Sequence, residues 1–221
     1  VGVRGLFSAD RLRRGERPFP HDEIYRATLR YAFAEGGLER VRSAPFPIRV
    51  LCTALPAHLP KALSMAMGMA AYQLEKRLTP GLLHPSLPKK LGFVPRVWDA
   101  RECESVEALV ELILSSSSTP PFTTIGRYDG PLIDGSMIDN APVFLVEDLP
   151  DITRNIILLT RPYDPKHVGR RGRRYYVAPR APLPVARWDY SEHAPIDRTL
   201  EVGRREAGLH RAQLDELLAA R

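Results

Sequence analysis

Apolar positions recur at helical spacing from Asp22 to Ala34, where Ile24, Ala27, Thr28, Tyr31 and Ala32 share a face. Asp22 and Glu23 suit the positive N-terminal end of that helix, and Gly36-Gly37 closes it. The pattern then changes. Ile48 to Ala54 is an unbroken run of branched and small residues between Pro47 and Pro56, which predicts a buried strand. Pro60 opens a second helix at its first position, with Leu63, Met67, Ala70, Ala71 and Leu74 on one side. Ser105 to Leu114 is the clearest amphipathic helix, with Ser105 as its cap and Val106, Leu109, Val110 and Ile113 on its face. Pro131 to Ile133, Asn155 to Thr160 and Tyr175 to Ala178 read as further strands. Residues 191–221 read as C-terminal helices: one begins at Ala194, with Pro195 in its first turn and Ile196, Leu200 and Gly203 on a face, and a polar helix to Arg221 closes the chain. Continuous apolar strands between amphipathic helices predict an α/β fold in three layers. Its central sheet would be mostly parallel and covered by helices on both faces, in one domain over residues 1–221.

Two stretches break the pattern. Thr79 to Trp98 is long, irregular and proline-rich, yet apolar through Leu82, Leu83, Leu87, Leu91, Phe93 and Val94. It is either a lid over a lipid-binding cleft or a packed insertion. Asp164 to Arg174 reads as a loop. At the start, Gly5 to Leu12 reads as a loop entering a short helix, with Ser8 or Asp10 as caps.

Composition narrows the classes. The chain has 221 residues, 44% of them hydrophobic, which is enough for a substantial core. A net charge of +6 tolerates anionic partners but does not argue for nucleic acid, and no nucleic-acid-binding module is legible. Cys52 and Cys103 have no metal-ligand spacing, and Cys52 lies in an apolar run as a small buried hydrophobe. Met65, Met67 and Met69 at helical spacing read as core filler. No apolar run reaches membrane-spanning length and no signal peptide opens the chain. The expectation is a water-soluble, cytoplasmic protein able to sit peripherally at a membrane.

The chemistry concentrates between Ser115 and Pro142. Four serines lead into Thr119-Pro120-Pro121-Phe122. Asp129-Gly130 and Asp134-Gly135 follow, then Ser136, Asp139-Asn140 and Pro142. Each piece alone is a turn signal. In this order they resemble the second signature block of the patatin-like phospholipases, in which a short strand delivers Asp-Gly-Gly or Asp-Gly-Ala. Ser136 stands here where that family has Gly or Ala. The similarity extends over about Ile48 to Gly208. It implies a serine acyl hydrolase with a Ser-Asp dyad and no metal or organic cofactor. Asp134 would be the general base, accepting the proton of a serine hydroxyl as it attacks an ester carbonyl. Gly135 would let the chain turn beside the base, and Asp139 and Asn140 would hold the loop. The substrate would be a phospholipid or other acyl ester.

The family's nucleophile lies in Gly-x-Ser-x-Gly, ahead of this block. No such pentapeptide occurs in the chain, and Gly2-Val3-Arg4-Gly5 only echoes the family's oxyanion loop. The expectation is therefore the C-terminal part of such a domain, incomplete at the N-terminus and inactive by itself. Two rivals remain. His167 or His193 could complete a Ser-Asp-His triad, though neither lies in a sharp motif. Arg170-Arg171-Gly172-Arg173-Arg174, with Tyr175-Tyr176 after it, could make the protein a non-catalytic module binding an anionic membrane surface.

Overall fold

The computed structural model describes residues 13–15, 19–186, 189 and 193–219. The short helix and caps read near Gly5 to Leu12, the Gly2 to Gly5 echo and the last two residues of the C-terminal helix lie outside these. The chain forms two compact units, one spanning Phe19–Leu145 and the other built from Val1–Pro18 and Val146–Arg221.

In the first unit, α1 (His21–Phe33) and α2 (Gly37–Arg42) lead to β1 (Arg49–Ala54). Then come α3 (Lys61–Leu78), α4 (Leu87–Lys90), β2 (Val94–Asp99), α5 (Val106–Ser116) and β3 (Leu132–Asp134). Ser105 caps α5 as its sequence predicts, accepting a hydrogen bond from the Ala108 amide at 3.1 Å. Leu51, Cys52 and Thr53 are successive residues and all are buried, so both faces of β1 are covered. Cys52 shares its cluster with Leu109 and Leu112 of α5, with Leu132 of β3, and with Leu38 and Cys103.

The sheet differs from the expected one. Its order is β2-β1-β3, and β1 is antiparallel to both neighbours. β2 and β3 therefore run parallel to each other on either side of β1, joined by α5. The reason lies between α3 and β2. A single helix would return the chain to the start of β1 and make β2 parallel to it. The segment after α3 instead brings the chain back to the far end of β1. A Cβ at Gly92 would sit 3.5 Å from His58 and 3.6 Å from Pro56, just beyond that strand. Val94 then pairs with Ala54 and β2 descends beside β1.

This segment is packed on the first unit. Leu83, Pro85, Pro88 and Phe93 are buried, and Phe93 lies against Gly68, where a Cβ would fall 2.5 Å from its ring. The Glu75 carboxylate binds the Ser86 amide and hydroxyl and the Leu87 amide at 2.7–3.0 Å. Val94 to Trp98, read as irregular, is the edge strand β2. Pro95 interrupts the alternation that would have marked it, and a proline is tolerated in a sheet at an edge.

In the second unit, β4 (Asn155–Leu158) pairs in parallel with β6 (Arg174–Val177), and β5 (Gly169–Arg171) pairs antiparallel with β6. The stretch read as a loop from Asp164 to Arg174 thus contains β5 and a tight turn with Gly172 at φ 59°. The helix α6 (Ile196–Ala219) packs His210 and Gln213 against the buried Tyr175 hydroxyl. β4 is an edge strand with Ile156 and Leu158 exposed, so its apolar run does not mark a covered strand. No helix among the described residues is long and apolar enough to cross a membrane.

Burial raises the Glu75 carboxyl and its hydrogen bonds to Ser86 and Leu87 lower it, the net being a depressed pKa. A depressed folded-state pKa stabilises the fold above the ordinary carboxyl pKa, and that stabilisation fades as pH falls through the folded value. Glu75→Gln is expected to cost about 1–2 kcal/mol at pH 7 and to flatten the stability loss below about pH 4.5. Urea titrations of both proteins from pH 7 to 3 check this; parallel curves would refute it.

Candidate active site

Asp134 is the last residue of β3, and its backbone is pinned on both sides. Its N–H donates to the Ser118 carbonyl at 2.8 Å, and its C=O accepts from the Thr53 hydroxyl at 2.8 Å. The register sets Asp134 opposite Cys52. Burial, with the Asp134 charge adding to it, pushes the Cys52 thiol up to about 12, so that cysteine is no nucleophile at neutral pH. Past Asp134 the chain winds into a 3-10 turn, Gly135–Met137. The Asp134 Oδ1 caps it, accepting from the Ser136 amide at 2.8 Å. Gly135 presses on β1, where a Cβ would lie 2.3 Å from the Leu51 carbonyl oxygen.

The other carboxylate oxygen is held loosely. The Thr119 hydroxyl is 3.5 Å from Asp134 Oδ2 and 3.2 Å from the Ser117 carbonyl. A hydroxyl has one proton to give, and the nearer carbonyl is the better acceptor. Asp134 takes part in no salt bridge among the described residues. Asp134 lines a cleft of about 390 Å³ whose walls include Tyr25, Arg49, Leu51, Ile113, Pro142 and Leu145.

The serine run is structural in detail. Ser116 Oγ donates to the Leu51 carbonyl at 2.7 Å, Ser117 Oγ to Ile113 at 3.0 Å and Ser118 Oγ to Thr124 at 2.6 Å. Ser115 is fully buried and its Oγ accepts from the Tyr128 amide at 3.3 Å. It meets Gly126, where a Cβ would lie 2.4 Å from the Ser115 Cα. Small residues are needed here because two backbones touch. Gly126 pairs with Leu132 across the hairpin whose tip is Asp129-Gly130, with Gly130 at φ 89°.

Asp139 and Asn140 make the side-chain to backbone bonds expected of them, Asp139 Oδ1 accepting from the Ala141 amide at 2.8 Å and Asn140 Nδ2 donating to the Leu82 carbonyl at 3.3 Å. They also have two partners that sequence reasoning missed. His84 Nδ1 is 2.9 Å from both Asp139 oxygens, and the Tyr72 hydroxyl donates to Asn140 Oδ1 at 3.0 Å. Neither lies near a motif, so only the folded chain shows them. Ser136 lines the same cleft as Asp134 and Asp139. No cluster of three or more His, Cys, Asp or Glu that could hold a metal occurs among the described residues.

A family model described as Patatin-like phospholipase matches residues 2–146, more than half of the chain. The chain belongs to the patatin-like phospholipase family. The match takes in the whole block from Ser115 to Pro142. It begins earlier than the similarity read from motifs and ends before β4, so residues 147–221 fall outside it. No curated protein and no solved structure matches the chain. Of the rival histidines, His167 ends a 3-10 turn and His193 precedes α6, and both belong to the unit that does not contain Asp134. Of the arginines read as a basic patch, Arg173 and Arg174 are occupied by Glu147, with Arg174 bound to both its oxygens at 2.6 and 2.5 Å.

Gly135→Ala must displace the β1 backbone. It is expected to lower the melting temperature by about 5–10 °C, the scale of an overpacked core site. Gly208→Ala, in open space on α6, is expected to hold or raise it. Thermal melts followed by circular dichroism decide, and an unchanged melting point for Gly135→Ala would contradict the close approach.

Proposed function

We propose that this chain supplies the general base of a patatin-like acyl-ester hydrolase, and that Asp134 is that base. The observation carrying the reading is the asymmetry of its carboxylate in a residue that lines the cleft: Oδ1 is fixed by the Ser136 amide at 2.8 Å, while Oδ2 has only a long contact to the Thr119 hydroxyl. A fixed carboxylate with one available oxygen can accept a serine proton as that serine attacks an ester carbonyl, then return it to the departing alcohol. The mostly apolar cleft walls suit an acyl chain, so the substrate class is a phospholipid or related acyl ester. The serine belongs to a Gly-x-Ser-x-Gly pentapeptide that these 221 residues do not contain, so this reading requires it from outside them. Gly135 permits the close turn, and Ser136, Asp139 and Asn140 hold its shape.

The test uses a polypeptide carrying both this chain and a serine in that pentapeptide, with a p-nitrophenyl acyl ester as substrate. Asp134→Asn is expected to lower kcat by about 10²–10⁴-fold with the melting temperature little changed, and the 221-residue chain alone to show only background hydrolysis. Full activity in Asp134→Asn would end this reading. Two of the four clustered arginines being paired with Glu147 counts against the membrane-binding alternative as the main role.

A further inference from the structure

We propose that His84 is a positioning residue for the Asp134 turn, and that the proline-rich segment carrying it is a strut that keeps that turn in shape. Its catalytic consequence rests on the reading of Asp134 as the base; its structural content does not. Asp139 is the link. Its amide donates to the Gly135 carbonyl at 3.1 Å, and the Ile138 amide donates to the same oxygen at 2.9 Å. Whatever fixes Asp139 therefore fixes the residue next to Asp134. The Asp139 side chain is only 7% exposed, and a carboxylate so buried must have its oxygens hydrogen-bonded. The Ala141 amide takes Oδ1, and among the described residues His84 Nδ1 reaches Oδ2 at 2.9 Å.

The surrounding bonds point the same way. The Asn140 amide donates to the Leu83 carbonyl at 2.9 Å and its side chain to Leu82, so residues 82–84 grip residues 139 and 140 from three successive positions. Tyr72 holds Asn140 from α3. The gripping segment is itself anchored, by buried Leu83 and Pro85 and by the Glu75 bonds to Ser86 and Leu87. A carboxylate only accepts, so His84 Nδ1 carries the proton that it donates to Asp139.

The experiment is amide hydrogen exchange by NMR on the 221-residue chain. His84→Ala is expected to speed exchange at Ser136 and Ala141 by at least about tenfold, leaving β1 and α5 amides unchanged. His84→Asn, whose amide nitrogen is bonded to Cγ as Nδ1 is, keeps a donor at that position and is expected to fall between. If His84→Ala does not fold, His84→Asn is compared with His84→Leu, which branches at the same carbon and has no donor; faster exchange at Ser136 in His84→Leu is then expected. In a polypeptide that also carries the serine, His84→Ala is expected to lower kcat several-fold at unchanged KM. No change at Ser136, or equal acceleration throughout Phe19–Leu145, overturns the proposal, as does equal exchange in the Asn and Leu variants. An active Asp134→Asn enzyme would remove the catalytic role of Asp134 and leave the exchange result standing.

Discussion

The peptide unit at Asp134 is gripped from two directions, by the Ser118 carbonyl on one side and the Thr53 hydroxyl on the other. Much of the first unit exists to make that grip possible. β1 supplies Thr53, the turn after α5 supplies Ser118, and Gly135 lets the two backbones meet at Leu51. Because the main chain is fixed, the carboxylate needs only the Ser136 amide to orient it. A side chain on a floppy loop would lose that orientation to rotamer entropy; one at the end of a pinned strand loses little.

Much of this was legible in the sequence. Helical spacing placed α1, α3 and α5 to within a few residues, but the apolar face read for α1 is exposed, Tyr31 most of all, and of the face read for α3 only Ala71 is buried. Ser105 was identifiable as a cap because its hydroxyl can reach the orphan Ala108 amide. The Asp-Gly block could be read because turns demand particular residues at particular offsets. Strand direction could not. An apolar run says that a strand is covered, not which way its neighbours point, and β1 has antiparallel partners on both sides. For β4 the run did not mark even burial, since Ile156 and Leu158 face outward at a sheet edge. His84 and Tyr72 were hidden for another reason: they act over sequence separations of 55 and 68 residues, and no local pattern encodes such a contact.

The packed segment after α3 links these two failures. It reverses the expected direction of β2 and it delivers His84 to Asp139. Its apolar residues allowed either a lid or a packed insertion, and Leu83, Pro85 and Pro88 are buried. Prolines contribute by restricting the unfolded chain, so holding this shape costs less entropy than a flexible stretch of the same length.

Pro95 has an effect beyond obscuring β2. It sits opposite Thr53 in the pairing with β1, and its ring nitrogen carries no hydrogen. A foreign strand approaching the outer side of β2 would find one donor missing near the start of the strand and the charged Arg96 next to it. The sheet is thereby blunted on the side where Val94 and Val97 would otherwise invite stacking of one molecule onto another.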